Sequence, residues 1–409
     1  MSTTKQLQFM SKVINLKLDK YPLNLRNPFG TAHSVTTVRN NVLITLEIDG
    51  VLGYGECGVP PKKPLCYFAD FDDIQSYFNS YVASLDKTVD NYSTKYNPFN
   101  KLSSNLFSKL RPSLDQSNNN SVFYYLLEKL DNCESNKFDY SYASRCCLEM
   151  AILDCWGKHL NQPIYEMASL ECKELKPFYY TVSLCPTKEQ VIDSLEFGLK
   201  YTSFIKIKLD SDIKRGLEMI EMVMEHTKQI GKTLSKISID ANSSWSPEIA
   251  IEFLPHLSTL SQLISMVEQP FPVETIKTLP ETEQLKWKSI KDQYHKEGLL
   301  IFADESVCTV KDIDQLTVKK TGGIREALLA IEKAKENGLL VWIGSMVGSS
   351  LNCNAAAHIL ASVSDYGGDL DGGLLITDES QLFNGGFSIV NNGDVKISSE
   401  SGIGVKLKK

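Results

Sequence analysis

The chain has 409 residues, which is long enough for a large core and for two domains. Its net charge is −7 with acidic and basic residues intermixed, a balance that argues against nucleic acid or an anionic membrane surface as partner. The ten cysteines form no CxxC pair and are predicted to be reduced thiols. The first residues lack the apolar stretch of a secretion signal, and no apolar run approaches the roughly 18 residues of a membrane span. The composition therefore predicts a soluble, cytoplasmic protein.

The N-terminal part of the chain combines strands with a long insertion. Two strand-like runs flank Asp49-Gly50, a dipeptide typical of tight hairpin turns. Residues 62–140 are polar and aromatic, and they include a low-complexity stretch at 113–121 that is predicted to be a loop. A helical pattern follows at 141–157. This part is therefore predicted to be a mixed α and β region.

From residue 178 onward, short apolar runs alternate with amphipathic helices. The helical spacing is clear at 212–231 and 323–338, and a glycine ends each pattern. This alternation predicts a parallel sheet, and seven runs with a possible eighth near 365–371 favour a closed (β/α)8 barrel. The alternative is a doubly wound open sheet, which is weakened because no glycine-rich phosphate loop follows the first strand. The seven runs lie at 178–184, 204–209, 236–240, 263–268, 299–304, 316–320 and 339–345.

Charged residues stand at the ends of six of these strands. In a β/α barrel the functional side chains lie at the carboxyl ends of the strands, which all meet at one mouth. We therefore take these residues as the candidate site. In chain order they are Lys206, Lys208, Asp240, Glu268, Asp304, Lys320, Asp369 and Asp371.

Three of the acids suggest a metal site. Asp240, Glu268 and Asp304 end three successive strands, so their negative charges would repel one another unless a cation joined them. Carboxylate oxygens are hard ligands of the kind that Mg²⁺ prefers. The alternative is that each acid caps the helix that follows its strand. The spacing favours the magnesium site.

Two lysines suggest proton transfer. In a ring of eight strands the second and sixth are opposite, so Lys208 and Lys320 would face each other across the mouth. A substrate carboxylate bound to the metal would lose its α-proton to one lysine, form an enediolate, and regain a proton from the other on the opposite face. Lys206, two residues from Lys208 and on the same face, would lower the pKa of that lysine. The alternative is an edge strand with solvated lysines.

The order of the motifs resembles the enolase superfamily. "KIK", "DAN..W", "EQP", "ADES" and "KTGG" occur in this order, and the chain looks most like the dipeptide epimerases of the muconate-lactonizing-enzyme subgroup. "PFGTAHSVTTVRNNVLITLE" and "GYGECGVPP" resemble the family's capping domain. "CLEMAILDCWGKHLNQPIYEM" resembles the helix that leads into the barrel, and "GSMVGSSL" the seventh-strand segment.

The resemblance implies a fold and its division into domains. We expect a modified (β/α)8 (TIM-type) barrel with an N-terminal α+β capping domain that the C-terminal segment completes. The capping domain would span residues 1–150 with an insertion at about 62–140, the barrel residues 151–376, and the returning segment residues 377–409.

The resemblance also implies roles for the site residues. Mg²⁺ would bind three acids, two lysines would be the acid/base pair, and Lys206 would lie near the substrate carboxylate. "DLDGG" resembles the Asp-x-Asp signature that holds a dipeptide's α-ammonium, although it could be only a glycine-rich turn. His33 lies in the capping loop that usually contacts the distal side chain, or is simply a loop residue. The implied metal ligands are Asp240, Glu268 and Asp304, the acid/base pair is Lys208 and Lys320, and the ammonium ligands are Asp369 and Asp371.

The function implied is magnesium-dependent inversion of the α-carbon of a dipeptide's C-terminal residue, by a cytoplasmic enzyme that forms a homo-oligomer. An o-succinylbenzoate synthase or cycloisomerase of the same superfamily is an alternative. A catalytically inactive relative is another, because the segment between Ser306 and Lys320 is shorter than the family's and could lack an exon. The stretch before the fifth strand and the 62–140 insertion are longer than usual and are expected to be surface elaborations.

Overall fold

The computed structural model describes residues 3–59, 69–92, 98, 120–137, 141–168, 170–172, 175–273, 279–307 and 322–408. The predicted sixth strand at 316–320, which includes Lys320, lies outside these residues, as does most of the predicted loop at 113–121. Within the described part of the chain, no helix has the length and apolarity that a membrane crossing needs. The cysteines that the structure describes are free thiols.

The N-terminal region forms a twisted sheet with the strand order β4-β3-β2-β1-β5. The first four strands are antiparallel neighbours, and β5 runs parallel to β1. The predicted hairpin is confirmed, since Asp49 and Gly50 both have positive φ angles and Ile48 pairs with Val51. The strands are β1 (Thr3–Phe9), β2 (Lys12–Gly30), β3 (Val35–Ile48), β4 (Val51–Cys57) and β5 (Thr88–Val89).

Three helices cover this sheet: α1 (Phe71–Ser84), α2 (Ser121–Asp131) and α3 (Ser141–Leu160). Helix α3 is buried along most of its length, and its backbone lies directly against the backbone of β4. A Cβ atom added at Gly55 would lie 1.9 Å from the carbonyl oxygen of Cys147, and one added at Gly53 would lie 2.3 Å from that of Ala151. The glycines in "GYGEC" therefore allow the helix to approach the sheet this closely.

Most of the described chain after this region forms the predicted barrel. Strands β7 to β11 pair in parallel in chain order, β12 pairs in parallel with β13, and a bridge between Phe178 and Gly368 joins the last strand to the first. After the two-residue strand β6 (Lys176–Pro177), the barrel strands are β7 (Tyr179–Val182), β8 (Phe204–Lys208), β9 (Lys236–Asp240), β10 (Ile264–Glu268), β11 (Leu300–Phe302), β12 (Ile343–Gly344) and β13 (Gly368–Asp369).

The last two described barrel strands are shorter than the sequence predicts. Only two residues of each apolar run, 339–345 and 365–371, form a strand, and Gly367 has a positive φ angle just before β13. The helices around the barrel include α6, which ends before Gly231 as predicted. They are α4 (Ile164–Met167), α5 (Lys188–Gly198), α6 (Ile213–Gln229), α7 (Pro247–Ser258), α8 (Glu281–Lys296), α9 (Ile324–Glu336), α10 (Ser350–Val363) and α11 (Gly372–Leu375).

The last part of the chain returns to the N-terminal region. The Tyr21 hydroxyl donates to the Ser380 carbonyl, and the buried Asp154 carboxylate of α3 accepts from the Ile403 amide. The domain bounds themselves stay a prediction. The strands of this segment are β14 (Phe383–Gly385), β15 (Ser388–Val390), β16 (Asp394–Lys396) and β17 (Val405–Leu407).

The close contact between α3 and β4 predicts that Gly55→Ala destabilises the fold. The added methyl group would collide with backbone that can move only with the whole helix, so we expect a loss of about 1–3 kcal/mol in the free energy of unfolding. Urea denaturation measures this loss. Gly373→Ala is the control, because a Cβ there meets nothing nearer than 3.4 Å. Equal stability of the two variants would contradict the packing argument.

Candidate active site

The structure brings seven of the eight predicted site residues to the same end of the barrel. All seven side chains are buried, and the eighth, Lys320, lies outside the described residues. Strand register places three of these residues at the same height in the barrel, because Lys208 pairs with Asp240 and Asp240 pairs with Glu268. The carboxyl ends of the second, third and fourth barrel strands therefore present these three side chains side by side.

Lys206 and Lys208 lie on a central strand. Strand β8 is hydrogen-bonded to β7 on one side and β9 on the other, so the alternative of a solvated edge strand is wrong. Ile205 and Ile207 are buried on the opposite face, as the alternation predicts. The two ammonium groups therefore point into the barrel mouth, where the neighbouring strands supply carboxylates.

The Lys206 ammonium group lies among three carboxylates. Its Nζ atom is 2.7 Å from Asp369 Oδ2, 2.8 Å from Glu268 Oε2 and 2.9 Å from Asp240 Oδ2. Burial alone lowers the pKa of Lys206, but the charges of Asp240, Asp369 and Glu268 outweigh it and raise this pKa well above its usual value. Lys206 is therefore held as a cation, the state that its predicted electrostatic role requires.

Lys208 contacts the adjacent strand and the capping region. Its Nζ atom donates to Asp240 Oδ2 at 2.7 Å and to Asn242 Oδ1 at 3.0 Å, and it lies 5.6 Å from the centre of the Phe29 ring. The His33 ring nitrogen Nε2 lies 2.7 Å from the Asn242 carbonyl oxygen. The turn between β2 and β3 thus lies against the loop after β9, next to Lys208.

Three polar residues of this site were given no role by the sequence analysis. Asn242 donates from Nδ2 to Glu305 Oε1, and Gln269 Oε1 accepts from the backbone amide of Asp304 at 2.7 Å. Asn242 and Gln269 both have positive φ angles, a backbone conformation that is uncommon for residues other than glycine. Asn242 stands two residues after the strand-end acid in "DAN" and Gln269 directly after it in "EQP", and this closeness to the acids is the signal that could have identified them.

The acid at the end of β9 does not cap a helix. Asp240 accepts from the Asn242 amide in its own loop, whereas Ser246 caps α7 and Asp212 caps α6. The helix-cap alternative is therefore wrong for Asp240.

Asp369 and Asp371 are more than a glycine-rich turn. Both are buried, Asp369 accepts from Lys206, and Asp371 Oδ2 accepts from the Thr181 amide at 2.5 Å. Burial, and after it the charge of Asp369, raises the pKa of Asp371 to about 6. The eighth strand thus places two acids beside the first and second strands.

The donor chemistry of the site suits a magnesium ion. Asp240, Glu268 and Asp304 offer carboxylate oxygens from three neighbouring strand ends, and such oxygens are the ligands that Mg²⁺ prefers. In the part of the chain that the structure describes, no three His, Cys, Asp or Glu side chains stand together as a formed metal centre. Lys206 instead balances two of these acids. The three residues therefore stay predicted ligands.

The charge balance predicts that Lys206→Met destabilises the protein. Removing this ammonium group leaves three buried carboxylates without their shared cation, which we expect to lower the free energy of unfolding by about 3–5 kcal/mol. Urea denaturation at neutral pH measures the change. Lys214→Met on α6 is the control, because that side chain is 88% exposed and should change stability little. If Lys206→Met were as stable as the control, the proposed balance of charges would be contradicted.

Comparison with known proteins places these features in a family. The family model described as Enolase C-terminal domain-like matches residues 197–409. An enolase superfamily member from Dictyostelium discoideum is 51% identical to this chain, over 99% of this chain and 100% of the relative. An L-Ala-D/L-amino acid epimerase from a Maribacter species is 25% identical, over 97% of this chain and 100% of the relative.

The fold has solved counterparts as well. A dipeptide epimerase from Cytophaga hutchinsonii, complexed with Mg and the dipeptide D-Ala-L-Val, matches with a TM-score of 0.71 at 22% identity, over 96% of this chain and 95% of that one. At this identity the match shows the shared fold, a capping region on a TIM-type barrel. The family model and the Dictyostelium relative show that the chain belongs to the enolase superfamily, and with its epimerase relatives it is an isomerase of the racemase and epimerase type.

Proposed function

We propose that this chain is a magnesium-dependent dipeptide epimerase that inverts the α-carbon of the substrate's C-terminal residue. The observation that carries the proposal is the buried Asp369 and Asp371 pair, which lies next to Lys206. A dipeptide has a carboxylate at one end and an ammonium group at the other. Adjoining clusters of cationic and anionic side chains match these two ends.

The predicted site residues that the structure describes each have a role in this reaction. Lys206 attracts the substrate carboxylate, and Asp369 and Asp371 hold the ammonium group. Magnesium, when bound by Asp240, Glu268 and Asp304, would stabilise the negative charge that develops on the substrate carboxylate as the α-proton leaves.

Inversion needs two proton transfers on opposite faces of the α-carbon. In one direction Lys208, as the neutral amine, takes the α-proton while the carbon–hydrogen bond breaks, and Lys320 as the ammonium returns a proton to the other face. In the reverse direction the two lysines exchange roles. The contact between Lys208 and Asp240 keeps its Nζ atom at the barrel mouth, where the reacting carbon would lie.

The capping turn supports a closed site. Phe29 lies over Lys208, and His33 contacts the backbone of the loop after β9. Apolar cover of this kind excludes water from an amine that must lose its proton. A homo-oligomeric, cytoplasmic enzyme stays part of the proposal on the family resemblance.

Hydrogen exchange tests the proposed reaction. We expect the wild-type protein with Mg²⁺ in D₂O to place deuterium on the α-carbon of the C-terminal residue and to produce the epimer for some members of a dipeptide library. EDTA should stop this exchange, and Lys208→Ala should slow inversion by about 10²–10⁴-fold. Proton NMR follows both events, and Lys214→Ala is the surface control.

Two other functions give different results in the same assay. A cycloisomerase or an o-succinylbenzoate synthase needs no ammonium site, so Asp371→Asn would be harmless to its activity. An inactive relative would exchange no dipeptide at all, which would refute the proposal.

The alignment with the Dictyostelium relative spans 436 positions, more than the 409 residues of this chain, so the relative contains residues that this chain lacks. Sequencing a transcript across codons 306–320 tests whether the short segment is genuine.

The raised pKa of Asp371 predicts a pH dependence of binding. This carboxyl group is charged above about pH 6 and neutral below it, so dipeptide affinity should fall as the pH decreases from 8 to 5. Titration calorimetry measures the affinity. Asp371→Asn should bind weakly at every pH and lose the dependence, whereas Asp292→Asn on the exposed face of α8 should behave as the wild type. A wild-type affinity that does not change with pH would contradict the ammonium role of Asp371.

A further inference from the structure

A buried arginine of the N-terminal region lies close to the candidate site. Arg39 belongs to β3, and its side chain is only 8% exposed. Its Nε atom is buried and donates no hydrogen bond. Among the residues that the structure describes, no carboxylate pairs with its guanidinium group, whose Cζ atom lies instead 5.5 Å from the centre of the Phe29 ring. The guanidinium group thus has an aromatic neighbour but no counter-charge.

The other buried lysine and arginine side chains that the structure describes all contact carboxylates. Arg145 pairs with Asp131, Arg325 with Glu149, Lys206 with Glu268 and Lys208 with Asp240. Arg39 differs from all of them, and burial alone lowers its pKa. A guanidinium group nevertheless stays charged at physiological pH, and burying a charge without a counter-charge opposes folding.

The Arg39 side chain lies on the face of the capping sheet that meets the barrel. Arg39 and Asn41 are two residues apart in a regularly paired stretch of β3, so their side chains share one face. Asn41 Nδ2 donates to the carbonyl oxygen of Val347, in the loop after β12, at 3.1 Å. The face that carries Arg39 is therefore turned toward the barrel mouth and is not directed away from it.

The Phe29 ring connects Arg39 with the candidate base. Lys208 Nζ lies 5.6 Å from the centre of the same ring. The separation between Lys208 Nζ and Arg39 Cζ therefore cannot exceed the sum of the two ring distances. A carbon that gives its proton to Lys208 would lie about 3–3.5 Å from Nζ. A carboxylate two or three carbon–carbon bonds further along a side chain would span the rest of the gap to the guanidinium group.

We propose that Arg39 binds a carboxylate in the side chain of the substrate's C-terminal residue, so that acidic dipeptides are preferred. This inference rests on the proposed function and names a class of substrate for it. The planar guanidinium group forms paired hydrogen bonds with carboxylates, and the bound acid supplies the counter-charge that the described chain does not. A neutral side chain of the same size would leave the buried charge as it is, and the enzyme would discriminate against it.

The test compares two dipeptides that differ in charge but hardly in shape. Both carry the N-terminal residue that the exchange screen favours, one with Glu and the other with Gln at the C-terminus. We expect the wild type with Mg²⁺ to have a kcat/KM for epimerisation at least about tenfold higher for the Glu dipeptide.

Two substitutions of Arg39 separate its charge from its shape. Arg39→Met removes the charge and keeps an unbranched side chain, and it should bring the two kcat/KM values to within about twofold of each other by slowing the Glu dipeptide alone. Arg39→Lys keeps the charge but loses the paired hydrogen bonds, and it should retain part of the preference. Arg215→Met on α6 is the matched control, because that side chain is 59% exposed, and it should keep the wild-type ratio.

Stability gives a second measurement that does not depend on activity. Because no described carboxylate pairs with Arg39 in the folded protein, Arg39→Met should unfold at the same urea concentration as the wild type or at a higher one. A clearly lower urea midpoint would assign Arg39 a structural role and would overturn the proposal.

The outcomes separate this inference from the proposed function. Epimerisation of other dipeptides with no preference for Glu over Gln, or with neither of these two as a substrate, would overturn the role of Arg39 while the proposed function stands. So would an unchanged preference in a folded Arg39→Met protein. Absence of exchange with every dipeptide would overturn the proposed function itself, and this inference with it.

Discussion

The arrangement of the barrel mouth depends on one buried ammonium group. Lys206 Nζ contacts carboxylates from the third, fourth and eighth strands, which would otherwise concentrate negative charge in a buried space. The pairing of β8 with β9 sets the height of Lys206 in the barrel, and the bridge from Phe178 to Gly368 brings the eighth strand close enough for Asp369 to contact this lysine. Closure of the barrel and neutralisation of its acids are therefore linked through this side chain.

The site divides into two regions around this lysine. On one side, Lys208, Asp240 and Asn242 form a hydrogen-bonded group suited to proton transfer and to holding a hard cation. On the other side, Asp369 and Asp371 form an anionic pair that suits an ammonium group. The proposal of a dipeptide substrate rests on the second region.

The sequence predicted much of the fold and most of the site. Alternation in "FIKIKLD" identified which face of β8 carries the lysines, and the Asp49-Gly50 turn and the end of α6 at Gly231 were confirmed. Local patterns of this kind depend on neighbouring residues, so they can be read from the chain. The predicted lengths of β12 and β13 were wrong, because the number of paired residues in a strand depends on the neighbouring strand as well as on its own sequence. Lys320 remains a prediction.

The sequence by itself determined the family, the barrel and the order of charged residues along it, because strand and helix periods and the motif order are local properties of the chain. Only the tertiary structure decided which charges meet. Lys206 and Asp369 are 163 positions apart, and Glu149 and Arg325 are 176 positions apart. No pattern in the sequence specifies such pairs, since contacts over these separations exist only after the strands close into a barrel and the helices dock on it.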